Sequence, residues 1–222
     1  MNHQKGRRVF INRNTDWYFH PEKGVDVAVV PVDHDPTWDV SHMETTMFLH
    51  KDWFDKFPEG AVGVGSEVFF PSLFTHASGV DRAIPLVRFG NIAMIPDGPI
   101  QVYGGWENVY LIEARSIGGI SGAPVFTRPE VMQRVNVGTQ EHNGLFHLDS
   151  HLFIGMIRGH WDIDGDVNEQ NPQPGRKGVN MGIAMVVPAY RILEALNHPA
   201  LAAHRDEFER RIALDEIASE DS

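Results

Sequence analysis

The chain has 222 residues, of which 42% are hydrophobic, enough for one large globular domain or two small ones. Its 19 basic and 30 acidic residues give a formal charge of −11 without a Lys/Arg cluster, which argues against nucleic acid as a partner. The lack of cysteine excludes disulfide bonds and thiolate metal sites and fits a cytoplasmic location. No apolar run approaches the roughly 18 residues of a membrane span or forms a signal peptide, so no membrane association is predicted.

Short apolar runs separated by Gly, Pro, Asn and Asp predict an all-β chain up to residue 188. The predicted strands are Arg8–Asn12, Val25–Val32, Glu67–Pro71, Leu86–Met94, Val109–Ala114, Ala123–Thr127, Leu152–Arg158 and Gly182–Val187. Long loops are predicted between them, near 33–50, 71–85, 95–107, 128–150 and 160–180. A weak helical pattern occurs at 43–57.

Helix is clearly predicted only at the end of the chain. Pro188 ends the last strand, Ala189–Asn197 carries apolar residues at helical spacing, and helical character resumes over Ala200–Ile217. Many short strands followed by a C-terminal helix favour a barrel or a sandwich over a βαβ arrangement.

The most informative stretch is Gly118–Phe126, in which Ser121 lies on a glycine-rich turn that leads into an apolar strand. A sharp turn can expose a serine hydroxyl beside free backbone N–H groups, which is what a nucleophile with an oxyanion hole requires. A plain Gly-Ser β-turn between strands is the alternative. The nucleophile elbow of α/β-hydrolases is disfavoured, because that elbow leads into a helix whereas Pro124–Thr127 favours a strand.

Four segments, in chain order, resemble the trypsin-like serine peptidases. They are Val25–Val32, similar to the strand with the triad aspartate; Gly119–Pro124, similar to the Gly-x-Ser-Gly-Gly-Pro nucleophile loop; Phe153–Ile157, similar to the strand lining the specificity pocket; and Asn180–Pro188, similar to the last strand. The flanking segments resemble a bacterial branch of that family. The resemblance implies an all-β double β-barrel of trypsin-like type, with an incomplete first barrel in residues 1–60, a second barrel in 61–188, and a C-terminal helix and polar tail in 189–222.

The implied chemistry is acyl transfer at a peptide carbonyl. Ser121 would attack, Asp26 would orient a histidine base, and the backbone N–H groups of Gly119 and Ser121 would form the oxyanion hole. For Asp26 the alternative is a carboxylate at a strand edge beside a turn. Arg115 and Arg158 are candidate substrate-binding residues for acidic side chains, although both could face solvent. Neither a cofactor nor a metal is predicted.

The catalytic base is the missing part of this constellation. In the family the histidine comes well before the aspartate, and only His3 and His20 precede Asp26. His20 is too close to the aspartate along the chain, and a packing role is expected for it. We therefore expect the segment with the base to be absent, so that the chain is either a truncated or inactive serine endopeptidase relative or a pseudoprotease that binds a peptide or protein. The predicted partner is a polypeptide in both cases.

Other motifs are weaker. Histidines and aspartates between 142 and 166 lack metal-ligand spacing, and Asp162–Glu169 has its glycine in the wrong place for a calcium loop, so a solvated acidic loop is favoured. Gly60–Gly65 is interpreted as a turn into the next strand rather than a dinucleotide site. The tryptophans are expected to pack in the core or in loops.

Overall fold

The computed structural model describes residues 2–3, 6–7, 16–32, 37–38, 40–53, 62–73, 84–102, 105–114, 120–128, 130–137, 140–147, 151–163 and 179–220. The strands are β1 (Asn2–His3), β2 (Gly6–Arg7), β3 (Tyr18–Phe19), β4 (Ala28–Val29), β5 (Glu67–Leu73), β6 (Pro85–Met94), β7 (Ile100–Val102), β8 (Gly105–Glu107), β9 (Tyr110–Ala114), β10 (Pro124–Thr127), β11 (Glu130–Val137), β12 (Gln140–His147), β13 (Leu152–Ile163) and β14 (Val179–Pro188). Two helices follow, α1 (Ala189–Leu196) and α2 (Pro199–Glu220).

Six of these strands close into an antiparallel barrel in the order β10-β13-β14-β9-β6-β5, with β5 pairing back onto β10. Strands β5, β6 and β9 pair in sequence order, with the β7–β8 hairpin inserted between β6 and β9, and β10 returns to lie beside β5, which is a Greek-key arrangement. Each barrel strand therefore has a paired neighbour on both sides, and the closing ladder between β5 and β10 consists of two residue pairs, Phe126 with Phe69 and Thr127 with Val68.

The barrel interior is filled by alternate residues of its strands. On β5, for example, Val68, Phe70 and Ser72 are buried, while Glu67 and Leu73 face solvent. This period of two is expected for a strand with one buried face. The fully buried large side chains include Phe70, Ile92, Ile112, Ile154, Ile157, Val125 and Val186, contributed by different barrel strands.

Helix α1 continues directly from β14 and packs against the barrel. Its buried residues Ala189, Ile192 and Ala195 lie on one face, as the amphipathic pattern requires. It also contacts β4, so it joins the barrel to the short β3–β4 ladder. Residues 203–213 of helix α2 are exposed. No helix in the described part of the chain is long and apolar enough to span a membrane.

The predicted all-β chain is confirmed at a coarse level, as a mostly β structure with a closed six-stranded barrel and a C-terminal helix. All six barrel strands overlap predicted strands. The double barrel of trypsin-like type stays a prediction, as do the domain boundaries at residues 60 and 188.

Several predicted elements differ from the structure. Two hairpins, β7–β8 and β11–β12, lie in segments that were predicted to be loops, and β13 and β14 extend beyond their predicted ends. The predicted strand Val25–Val32 is reduced to β4, because the chain turns tightly just before it. Of the weak helix at 43–57, the described residues contain a 3-10 turn at Thr45–Met47. The predicted strand Arg8–Asn12 lies outside the described residues.

Candidate functional site

Ser121 lies at the exposed tip of a tight turn that precedes β10. The flanking residues Ile120 and Ala123 are buried, and the Ala123 N–H donates to the Ile120 carbonyl at 3.0 Å. Gly122, the third residue of this turn, has a φ of +86°. A type II turn needs such a φ at this position, which explains a glycine there. The turn thus buries its two ends and presents the Ser121 side chain to solvent.

The turn is fixed to the end of the buried part of β13. The Gly122 N–H donates to the Ile157 carbonyl at 2.7 Å, and the Ile157 N–H donates to the Ala123 carbonyl at 2.9 Å. The Ser121 hydroxyl donates to the next carbonyl of β13, that of Arg158, at 2.9 Å. The single proton of the hydroxyl is therefore held by a backbone oxygen, which cannot remove it as a general base would.

Asp26 lies in a second tight turn, between β3 and β4. The Val27 N–H donates to the Val25 carbonyl at 2.9 Å, which makes Asp26 the central residue of a three-residue turn. Val27 is buried in the core, whereas the Asp26 side chain is 72% exposed. The carboxylate Oδ2 lies 3.9 Å from Nε of Arg158.

Arg158 joins these two turns, because its backbone carbonyl holds Ser121 and its guanidinium faces Asp26. The guanidinium makes its closer contact with Glu107 at the end of β8, where Nη2 donates to Oε1 at 2.6 Å. The Glu107 side chain is only 9% exposed. Burial raises the pKa of the Glu107 carboxyl, and the charge of Asp26 adds to this, while Arg158 partly offsets both.

Two of the predicted site residues, Ser121 and Asp26, thus both contact a third predicted site residue, Arg158. Gly119 and Arg115 lie outside the described residues, so the predicted oxyanion hole and the role of Arg115 stay predictions. The Arg158 guanidinium is already engaged by two carboxylates, and its buried Nε finds no hydrogen-bond acceptor within the described part of the chain. This engagement does not favour the predicted role of Arg158 in binding acidic side chains.

Glu107 was not among the predicted site residues. The sequence offers only one signal for it, a carboxylate placed shortly before an apolar strand, and many surface glutamates share that pattern. Its partner Arg158 is distant in sequence and meets it only because β8 and β13 are brought together by the fold.

His20 is buried and attached to α1. Its Nε2 donates to the Glu194 carboxylate at 2.8 Å, and its Nδ1 accepts the Glu22 N–H at 3.0 Å. Arg191 completes the cluster by donating to Glu22 and to Glu194 at 2.7 and 2.9 Å. Both ring nitrogens of His20 are therefore in use, in agreement with the packing role expected for it.

Three further motifs of the sequence lie partly within the described residues. Among the described residues, no group of three or more His, Asp or Glu side chains is placed to hold a metal ion. Gly63 and Ser66 form a turn that leads into β5, as predicted. Trp53 and Trp161 pack against core clusters, whereas Trp17 and Trp106 are largely exposed.

A separate cleft of about 630 Å³ runs beside α1. Its lining residues are His50, Lys51, Asp52, Tyr190, Leu193, Glu194 and Asn197. None of these is a predicted site residue.

Comparison of the chain with known protein families, with curated proteins and with solved structures found no match.

Proposed function

We propose that this protein is a relative of the trypsin-like serine peptidases in which the Ser121 turn binds a polypeptide without cleaving it. The observation that carries the proposal is the hydrogen bond from the Ser121 hydroxyl to the Arg158 carbonyl. A serine becomes a nucleophile when a base accepts its proton as it attacks. A peptide carbonyl has no such capacity, so the hydroxyl keeps the low reactivity of an ordinary serine.

The environment of Asp26 also supports the proposal that Ser121 does not act as a nucleophile. In a working triad the aspartate is hydrogen-bonded to an imidazole and stabilises its charged form. Here the carboxylate of Asp26 faces the guanidinium of Arg158. His20, the histidine nearest to it in sequence, has both nitrogens occupied by Glu194 and Glu22. A charged guanidinium keeps all its protons at neutral pH and cannot serve as the base.

The relationship to the peptidases is supported by the placement of the parts. The serine turn leads directly into a strand of a closed antiparallel barrel, and a C-terminal helix follows the last barrel strand. Ser121 and Asp26, far apart in sequence, meet on one residue of a neighbouring strand. An exposed turn that is held to β13 by backbone hydrogen bonds and lies beside a charged cluster suits the recognition of an extended chain. An active serine endopeptidase is the second candidate, favoured by the exposed serine on its glycine turn.

Random peptides displayed on phage and selected on the full chain test this proposal. We expect enrichment of peptides that bind both the wild type and Ser121→Ala, since the hydroxyl is not needed as a nucleophile. The bulky Ser121→Trp change should block binding at the turn. Mass spectrometry of the selected peptides after incubation should show intact peptides.

Two results would contradict the proposal in different ways. Cleavage by the wild type that is lost in Ser121→Ala would make the protein an active serine peptidase. Failure to enrich any peptide whose binding depends on the Ser121 turn would refute the proposed binding function.

A further inference from the structure

The two carboxylates beside Ser121 differ in how closely they pair with Arg158. Glu107 and Arg158 form a close ion pair at 2.6 Å, and the Glu107 side chain is only 9% exposed. Asp26 approaches the same guanidinium only to 3.9 Å, at the limit of an ion pair, and its side chain is 72% exposed. Two carboxylates thus share one guanidinium, which leaves a net charge of −1 when all three groups are ionised.

We propose that the polypeptide bound at the Ser121 turn carries a cationic side chain, Lys or Arg, that pairs with the exposed carboxylate of Asp26. This inference rests on the proposed polypeptide-binding function and specifies the class of ligand. Ser121 and Asp26 are separated by the span of a single arginine residue, since both contact Arg158. A chain that lies across the serine turn therefore passes within reach of the Asp26 side chain.

The same geometry disfavours an acidic ligand. An incoming carboxylate would need the Arg158 guanidinium, which is four-fifths buried and already held by Glu107. It would also approach the exposed charge of Asp26, and like charges in close contact repel. The chain as a whole carries a formal charge of −11, which adds a long-range attraction for cations. The charges beside Ser121 and the net charge of the whole chain therefore both favour a positively charged ligand.

Three phage libraries of random peptides, whose central residue is fixed as Lys, Glu or Gln, test this inference at about pH 8, where carboxyl groups are ionised and Lys is charged. We expect the Lys library to be enriched most on the wild type. Asp26→Asn should weaken the best Lys peptides by about fivefold, which corresponds to about 1 kcal/mol for one exposed ion pair. Raising the salt well above about 0.1 M should reduce the Lys preference, because ions screen exposed charges.

A variant with the charge at Asp26 reversed and a matched control variant test whether the pairing is local. Asp26→Lys should shift enrichment from the Lys library to the Glu library, and because the side chain is exposed this variant is expected to fold. Asp206→Asn, at an exposed aspartate of α2, removes the same charge from the molecule and should leave the Lys preference unchanged. A loss of preference in Asp206→Asn equal to that in Asp26→Asn would refute a local pairing.

The outcomes separate this inference from the function on which it rests. Equal enrichment of the three libraries, abolished by Ser121→Trp, would leave the peptide-binding function standing and refute the cationic ligand. Preferential enrichment of the Glu library would refute it as well. The absence of any enrichment that depends on the serine turn would refute both.

Discussion

At the scale of single residues, Arg158 organises the candidate site. Its backbone carbonyl holds the Ser121 hydroxyl, and its guanidinium is shared by Glu107 and Asp26. Removing one partner of a buried ion pair is costly because the other charge is left without compensation. The same residue therefore accepts the hydrogen bond of the Ser121 hydroxyl and partly offsets burial, which raises the pKa of the Glu107 carboxyl.

The second charged cluster, around Glu194, gives a prediction about acid stability. Burial alone would raise the pKa of Glu194, but hydrogen bonds from Arg191 and His20, together with their charges, outweigh burial and lower it. A carboxyl whose pKa is lowered in the folded state stabilises the protein at pH values above the pKa of the unfolded state, 4.5. This stabilisation is lost as the pH falls through the pKa of the folded state.

We therefore expect Glu194→Gln to reduce the free energy of unfolding by at most about 1 kcal/mol near neutral pH, since Glu194 is 44% exposed and solvent screens it. The difference from the wild type should shrink as the pH is lowered below about 4. Urea unfolding followed by tryptophan fluorescence over this range measures both effects. Glu209→Gln, at an exposed glutamate of α2, is the matched control. A difference that stays constant as the pH falls would contradict this account of Glu194.

The sequence predicts part of the site and misses the rest for a physical reason. The exposed position of Ser121 follows from local chemistry, since Gly122 permits the turn and the apolar neighbours are pulled into the core. The importance of Glu107 cannot be read locally, because its burial and its pairing with Arg158 arise only when distant strands meet. The exposure of Asp26 fits the alternative of a carboxylate at a strand edge beside a turn, because a tight turn replaces the expected strand around it.

At the scale of secondary structure elements, the barrel strands are predictable and the outer hairpins are not. Every barrel strand carries apolar residues at alternate positions or in a short run, because one face is buried. The sequences of β11 and β12 mix polar and apolar residues, and β7 and β8 are only three residues each, so their periodicity is weak. Such ladders are specified by pairing and turn geometry rather than by a hydrophobic pattern.

The antiparallel pairing of β13 with β14 gives a prediction at Gly155. This residue has a φ of +153°, and a Cβ there would overlap the Val187 carbonyl oxygen and lie 2.7 Å from Cγ1 of Val186. Gly155→Ala should therefore combine backbone strain with overpacking and lower the free energy of unfolding by about 3 kcal/mol.

Urea unfolding also measures this loss. Gly63→Ala is the control, because a Cβ at that position meets no atom within 4 Å, and it should change stability by less than about 1 kcal/mol. Equal stability of Gly155→Ala and Gly63→Ala would contradict the packing described for β13 and β14.

At the scale of the whole molecule, the closed barrel fixes the serine turn, and α1 fixes the segment that carries Asp26. The turn is held by hydrogen bonds to β13, which is itself paired on both sides within the barrel. The segment from β3 to β4 is held on α1 by His20, Glu22 and Arg191. Ser121 and Asp26 thus come from two separately anchored parts and meet where these parts touch.

The most direct measurement of the central claim, that Ser121 is not activated, is labelling of the full chain with a fluorophosphonate probe. The probe forms a covalent bond only with a serine whose proton is taken by a base. We expect the intact mass of the wild type to remain unchanged, as it should for Ser121→Ala. Stoichiometric labelling of the wild type at Ser121, absent in Ser121→Ala, would show an activated nucleophile and contradict the account.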